Sequence, residues 1–269
     1  MKKKKMINKL KTRYLIIITI SLVILFLIFL LIKNIFSVGN YYKELSHVSD
    51  VKKSVKNNDN ENMKTIGWID IYNSKLNMPV FSVGNNFDGG VRIKNFAWTN
   101  SLELNNFTTI IGHNISNLGI PKKEPKNYFY RFEELMTYIY QDYAQQHKYF
   151  QFTYNNKEYM YKIFSVAIID AYEVYKFPSM GANEYEMEYF INLFKDNSLF
   201  DYDVKVNKND DIMVLTTCTR LKENNDAYSD IVVVGKKIND KFIIDNSKVK
   251  KTENYKKIDK VLRGEGNVS

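Results

Sequence analysis

The chain of 269 residues has one cysteine, three histidines and, within its first 36 residues, no acidic side chain. One cysteine excludes an internal disulfide, so the fold has to be held by packing, and Cys218 is left as a free thiol. The histidines and the cysteine show no metal-ligand spacing and no Asp-rich loop of EF-hand type is present, so neither a metal site nor a cofactor is expected. No internal repeat is visible. A positively charged folded domain is also lacking: of the net +9, eight positive charges fall in the first 36 residues, which leaves about +1 for the other 233. A nucleic-acid binder needs its charge on the folded part, where it can neutralise phosphates, so that class is excluded. What is present is 45% hydrophobic residues with 20 Tyr and 17 Phe, enough to build a core and too apolar for wholesale disorder.

Residues 14–32 form a run of 19 without a charge, and at about 1.5 Å per residue a helix of that length crosses a hydrocarbon core of about 30 Å. Lys2, Lys3, Lys4, Lys5, Lys9, Lys11 and Arg13 precede it, which places the N-terminus in the cytoplasm and everything after the run outside. A cleaved signal peptide fits less well, because its apolar part spans about 7–15 residues and ends in small residues; residues 33–39 offer no Ala-x-Ala-like site. The expected organisation is a cytoplasmic basic tail (1–13), a transmembrane anchor (14–36), a juxtamembrane helix and linker (37–63), an extracellular folded domain (64–245) and a polar, solvated tail (246–269).

Within the folded domain, Gly67-Trp68-Ile69-Asp70-Ile71 and Met78-Pro79-Val80-Phe81 read as strands around a turn at Asn73-Ser74-Lys75. Residues 107–111 form another strand, ended by Gly112. Phe132, Leu135, Met136, Ile139 and Tyr143 recur at helical spacing and predict one amphipathic helix within 128–150, with His147 at its surface. Strands return at 151–154 and 158–169, joined by Asn155-Asn156-Lys157 as a hairpin connection. The long crossing 171–210 carries a second helical stripe of Met187, Phe190, Ile191 and Phe194. Strands at 211–218 and 231–238 close the domain, with Phe242-Ile243-Ile244 pairing back. The fold class is mainly β with inserted helices, a barrel or a sandwich.

His113 and Cys218 each stand at the C-terminal end of an apolar strand, where a sheet holds a side chain rigidly at the rim of a groove. A free thiol has a pKa of about 8.5 and is mostly protonated at neutral pH; a nearby imidazole can handle its proton and later protonate a leaving amine. That pairing is suited to acyl transfer through a thioester.

Val214-Leu215-Thr216-Thr217-Cys218, followed by Ile231-Val232-Val233-Val234-Gly235-Lys236, resembles the T-L-x-T-C nucleophile strand and the next strand of sortases. Gly67-Trp68-Ile69 with Pro79-Val80, the strand end Gly112-His113-Asn114 and the helix spacing add to the likeness, and the long 171–210 segment before the cysteine strand resembles class B. The resemblance covers about residues 66–238. It implies an eight-stranded β-barrel and a membrane-anchored cysteine transpeptidase of Gram-positive bacteria. Such an enzyme cleaves the C-terminal sorting signal of exported surface proteins after a threonine, through a thioester on Cys218, and passes the acyl group to an amine of the peptidoglycan precursor. It implies His113 as the acid/base partner and Thr216, Thr217, Asn114, Tyr175 and Phe177 as substrate-binding residues, with Tyr172 and Phe190 as further apolar walls.

Three positions depart from the family pattern. Val214 replaces the first threonine, Gly89-Gly90 stands where class B members often carry Tyr-Leu, and Asp230 occupies the place of the catalytic arginine before the last strand, with no arginine from 221 to 262. Arg220, two residues after Cys218 and so on the same face of its strand, is the expected replacement; Arg92, Arg131 and Lys222 are the other cations left open. Two alternatives to a transpeptidase follow: a surface cysteine peptidase, and a weakly active or inactive peptide-binding module.

Overall fold

The computed structural model describes residues 64–71, 74–82, 97–101, 103–114, 117–121, 131–224, 227–239 and 245–263, together with Thr19, Ser21 and Leu22. The predicted anchor apart from those three residues, the juxtamembrane segment, Gly89-Gly90, Arg92 and Phe242-Ile243-Ile244 lie outside the described residues, as do the side chains of Arg131 and Lys222. Among the described residues no helix is long and apolar enough to cross a membrane.

The strands in chain order are β1 (Lys64–Asp70), β2 (Asn77–Ser82), β3 (Ala97–Thr99), β4 (Phe107–Gly112), β5 (Tyr149–Tyr154), β6 (Lys157–Asp170), β7 (Phe200–Asp201), β8 (Ile212–Asn224), β9 (Ala227–Ile238) and β10 (Lys250–Lys251). Eight of them close into a barrel in the order β1-β2-β3-β4-β8-β9-β6-β5, while β7 and β10 pair separately. The helices are a 3₁₀ helix (Arg131–Ile139), α1 (Gln141–Gln146), α2 (Ala171–Val174), α3 (Glu184–Asp196) and α4 (Glu253–Leu262).

Local chemistry accounts for the turns. Asn155 and Asn156 both adopt positive φ, 48° and 61°, the left-handed pair that a two-residue turn needs to match strand twist, and Tyr154 faces Lys157 across it, so Lys157 opens the next strand instead of belonging to the connection. The strand after it runs to Asp170, and β8 and β9 extend past the residues predicted for them, to Asn224 and back to Ala227.

Side-chain alternation gives the barrel two apolar faces. Ile110, Ile163, Met213, Leu215, Ile231 and Val233 point into the interior core. Phe107, Ile169, Val214, Val232 and Val234 point outward and would be wet but for α3, which lays Met187, Phe190, Ile191 and Phe194 over them. These four are the predicted stripe. A capping box starts the helix: the Asn183 side chain accepts from the Glu186 amide, and the Glu186 carboxylate accepts from the Asn183 amide.

Three expectations are overturned. The single amphipathic helix within 128–150 is a 3₁₀ helix followed by the short α1, because the segment from Phe132 to Ile139 is buried on every side rather than along one stripe. Its carboxylates are enclosed with it, and Glu134 accepts from the Lys75 amide at 2.7 Å and the Tyr143 hydroxyl at 2.9 Å. His147 is likewise buried, stacked at 3.9 Å on Tyr143 with its Nδ1 2.9 Å from the Tyr143 carbonyl.

The tail is not merely solvated either. Val249, Tyr255 and Ile258 are buried in the interior core, spaced too sparsely among lysines to register as a stripe. Its entry is held by Asp245, which pairs with Lys148 at 3.4 Å and Lys162 at 2.9 Å and accepts from the Tyr149 hydroxyl at 3.1 Å. Burial opposes ionisation of this carboxyl, but the bonds from Lys162, Ser247 and Tyr149 outweigh it and hold the pKa well below the usual carboxylate range.

Candidate active site

β4 and β8 run parallel, with Ile111 opposite Thr216. Two residues beyond that pair come His113, just past the end of β4, and Cys218, within β8, so the parallel ladder carries imidazole and thiol toward the same end of the barrel. Within β8, Cys218 falls on the outward series begun by Val214.

Where the ladder ends, Asn114 takes over. Its buried amide donates to the Cys218 carbonyl at 2.8 Å and to the Asn117 carbonyl at 3.0 Å, while its oxygen accepts from the Asn117 amide at 3.0 Å. The next loop is tied to β8 as well, since the Arg220 amide donates to the Leu118 carbonyl at 2.7 Å. Asn114 therefore ties the two strand ends together. Gly112 is required just before it, because a Cβ there would collide with the Phe132 ring.

Thr216 and Thr217 are both buried, and Thr217 donates its hydroxyl to the Gly112 carbonyl at 2.7 Å. Of the two aromatics expected to contact substrate, Tyr175 is 87% exposed. Phe177 instead packs edge-on against Phe107 at 5.6 Å, Phe190 at 5.2 Å and Phe194 at 5.5 Å.

Trp98, on β3 opposite Ile111, sits 4.7 Å from the His113 ring. No motif singled it out; a lone strand tryptophan reads as core. Burial lowers the His113 pKa from its ordinary value, so the ring rests neutral at neutral pH. Cys218 is exposed as a residue, yet its sulfur is enclosed enough that burial, then the charge of Asp230 and its hydrogen bond to Asp230, push the thiol up to about 11.

Asp230 lies directly across the antiparallel β8–β9 ladder from Cys218, and on its other side β9 pairs it with Ile169. The carboxyl accepts the thiol proton in a hydrogen bond, and burial, with a contribution from Asp170, raises its pKa to about 6 even though that bond pulls the other way. Arg220 lies on the exposed side of β8, on the same face as Cys218. Among the described residues no group of three or more His, Cys, Asp or Glu is placed to hold a metal ion.

A thiol and an imidazole carried by parallel strands toward the same end of a closed barrel are the groups that cysteine acyl transfer requires. The sortase domain profile matches residues 69–238, and the chain belongs to the sortase family of cysteine transpeptidases. It is 26% identical over 205 residues to sortase B of Staphylococcus aureus (strain NCTC 8325 / PS 47), spanning 71% of this chain and 77% of that protein. Among solved structures, Clostridium perfringens sortase B superposes with a TM-score of 0.54 at 23% identity, over 70% of this chain and all of that one. A Staphylococcus aureus sortase B–substrate complex superposes with a TM-score of 0.52 at 24% identity, over 73% and 92%. The barrel is thus a sortase barrel, as the sequence pattern implied, and it is similar to those of the sortase B proteins.

Proposed function

We propose that the protein is a transpeptidase that cleaves a peptide sorting signal through a thioester on Cys218 and hands the acyl group to an amine of the cell wall. The observation that carries this reading is the level placement of His113 and Cys218 at the end of the β4–β8 ladder. As the sulfur attacks the scissile carbonyl, the carbonyl π pair moves to oxygen. The intermediate then collapses, the C–N bond breaks and the departing amine takes a proton by way of His113. A second amine attacks the thioester, forming the new amide and freeing the thiol. Arg220, the cation nearest in sequence on the face of Cys218, is assigned to the developing oxyanion. Residues 14–36 anchor the chain with the barrel outside the cell. The Staphylococcus aureus substrate complex, and a sortase B solved with triglycine at 25% identity, support a peptide donor and a glycine-type acceptor.

The full chain in detergent, incubated with a library of pentapeptide sorting signals and triglycine, should give amide product by mass spectrometry and none with Cys218→Ala. Product from the Cys218→Ala protein would refute the thioester route. Hydrolysis without amide product would identify a peptidase instead. A second reading, a binding module of low activity, is favoured by the carboxylate in place of the family arginine and by the thiol's raised pKa; absence of both acyl-enzyme and product with every peptide would establish it.

A further inference from the structure

Cys218, Asp230 and His113 leave proton handling unbalanced if only two of them act. The thiol rests protonated and the imidazole rests neutral. A neutral imidazole has no spare proton for a departing amine, so the proton has to come from the thiol itself. The thiol's hydrogen bond, however, runs to Asp230, its register partner on β9. A proton acceptor is recognised first by reach, and Asp230 has it. Its other oxygen, Oδ1, is buried with no hydrogen-bond partner among the described residues, so the thiol's bond only partly offsets the enclosure that disfavours its charge. A carboxylate kept in that state gains by taking a proton.

We propose that Asp230 is the base that takes the proton from the Cys218 thiol, a catalytic residue standing where the family pattern has an arginine. This rests on the transpeptidase reading and assigns its first proton transfer. The S–H bond breaks as the sulfur pair attacks the carbonyl carbon, the carbonyl π pair moves to oxygen, and Asp230 becomes a neutral acid. On collapse the oxygen pair re-forms the carbonyl, the C–N bond breaks, and the proton held by Asp230 passes through His113 to the amine, regenerating the carboxylate. No charge is created or lost. In the second half the incoming amine gives its proton back along the same route and the thiolate leaves as thiol.

The elements packed against β9 carry other titratable and charged groups: Cys218 and Arg220 on β8, Asp170 at the end of β6, Tyr172 and Glu173 on α2, and Glu133, Glu134 and Tyr138 on the 3₁₀ helix. Of these, Cys218 and Asp170 shift Asp230. With a pKa near 6 the carboxyl is mostly ionised at neutral pH and close to the working range of a general base.

The test compares turnover with thiol reactivity in the full-length protein. Asp230→Asn removes the negative charge that raises the thiol's pKa, so iodoacetamide should alkylate Cys218 faster at pH 8. Turnover should nevertheless fall by about 10²–10⁴-fold, the usual contribution of a positioned base, and the acidic limb of kcat/KM near pH 6 should vanish. Asp230→Glu, which keeps the carboxylate, should restore both the rate and the limb. If Asp230→Asn alkylates faster and also turns over as fast or faster, Asp230 only restrains the thiol and the proposal is wrong. Slower alkylation together with slower turnover would make its role structural and overturn the proposal equally, as would a gain of rate in Asp230→Arg. An inert wild-type protein would bring down the transpeptidase reading and this assignment with it, whereas an active wild type with an equally active Asp230→Asn would bring down the assignment alone.

Discussion

At the scale of single residues, Asp230 should leave a mark on stability as well as on chemistry. Its carboxyl has a pKa of about 6 in the fold against 3.8 outside it, so the folded state holds the proton more tightly. The favourable contribution is complete below pH 3.8 and is lost as pH rises through 6. At pH 7.5 the buried charge therefore costs at most about 3 kcal/mol, one pKa unit being about 1.4 kcal/mol. Asp230→Asn is expected to raise the melting temperature at pH 7.5 and to lose that advantage near pH 4; a variant less stable than wild type at pH 7.5 would show that the carboxylate is better solvated than its surroundings indicate. Arg220 offers an independent test. Removing one oxyanion donor costs about 10²–10³ in rate, whereas truncating an exposed arginine changes little. Arg220→Ala should lower kcat by that amount with an unchanged melting temperature, and near-normal kcat would clear Arg220 of the role. Cys218, His113 and the displaced arginine were all legible in the sequence because each stands beside a strand motif. Trp98 against His113 and the Asn114 bond to the Cys218 carbonyl were not, since both depend on which strands become neighbours.

Among the elements, the segment from α2 to α3 separates two kinds of aromatic residue that look alike in the sequence. Phe177 meets the rings of Phe107, Phe190 and Phe194 and fastens the crossing to the barrel wall; Tyr175 is exposed and free to meet a ligand. Phe177→Ala should therefore cost about 2–3 kcal/mol by chemical denaturation, somewhat less than a fully enclosed phenylalanine. Tyr175→Ala should leave stability unchanged and raise KM for the peptide. Equal stability loss in both variants would contradict this division. The strands and α3 followed their periodicity because one face of each is apolar. The 3₁₀ helix did not, since a segment enclosed on all sides has no polar face to betray its period, and α4 was hidden because Tyr255 and Ile258 are few among many lysines.

For the whole molecule, the interior core and the site share a wall without sharing side chains. Inward residues such as Leu215 and Val233 fill the barrel, and the outward series on the same strands runs under α3 and emerges at Cys218 and Asp230. The crossing from 171 to 210 borders that emergence, so peptide selectivity should reside in it. Exchanging it for the equivalent segment of a sortase with another sorting motif should change which peptide is cut while leaving Cys218 alkylation intact; an unchanged preference would move the specificity determinants elsewhere. The eight-stranded closure was legible only through resemblance, because alternation tells which strands exist and not the order in which they pair.

The parallel β4–β8 pairing also governs when the site can exist. Antiparallel neighbours such as β5 and β6 meet through a two-residue turn, but Ile111 reaches Thr216 only after about a hundred intervening residues have been arranged. Closing so long a loop forfeits entropy before any contact compensates for it, and folding dominated by such contacts is slow. The hairpins should form first and the seam between β4 and β8 should zip late. Until then Cys218 is an ordinary thiol, with neither the carboxylate across its ladder nor the imidazole at the same end of the barrel, so the proposed centre is assembled at the last stage of barrel closure.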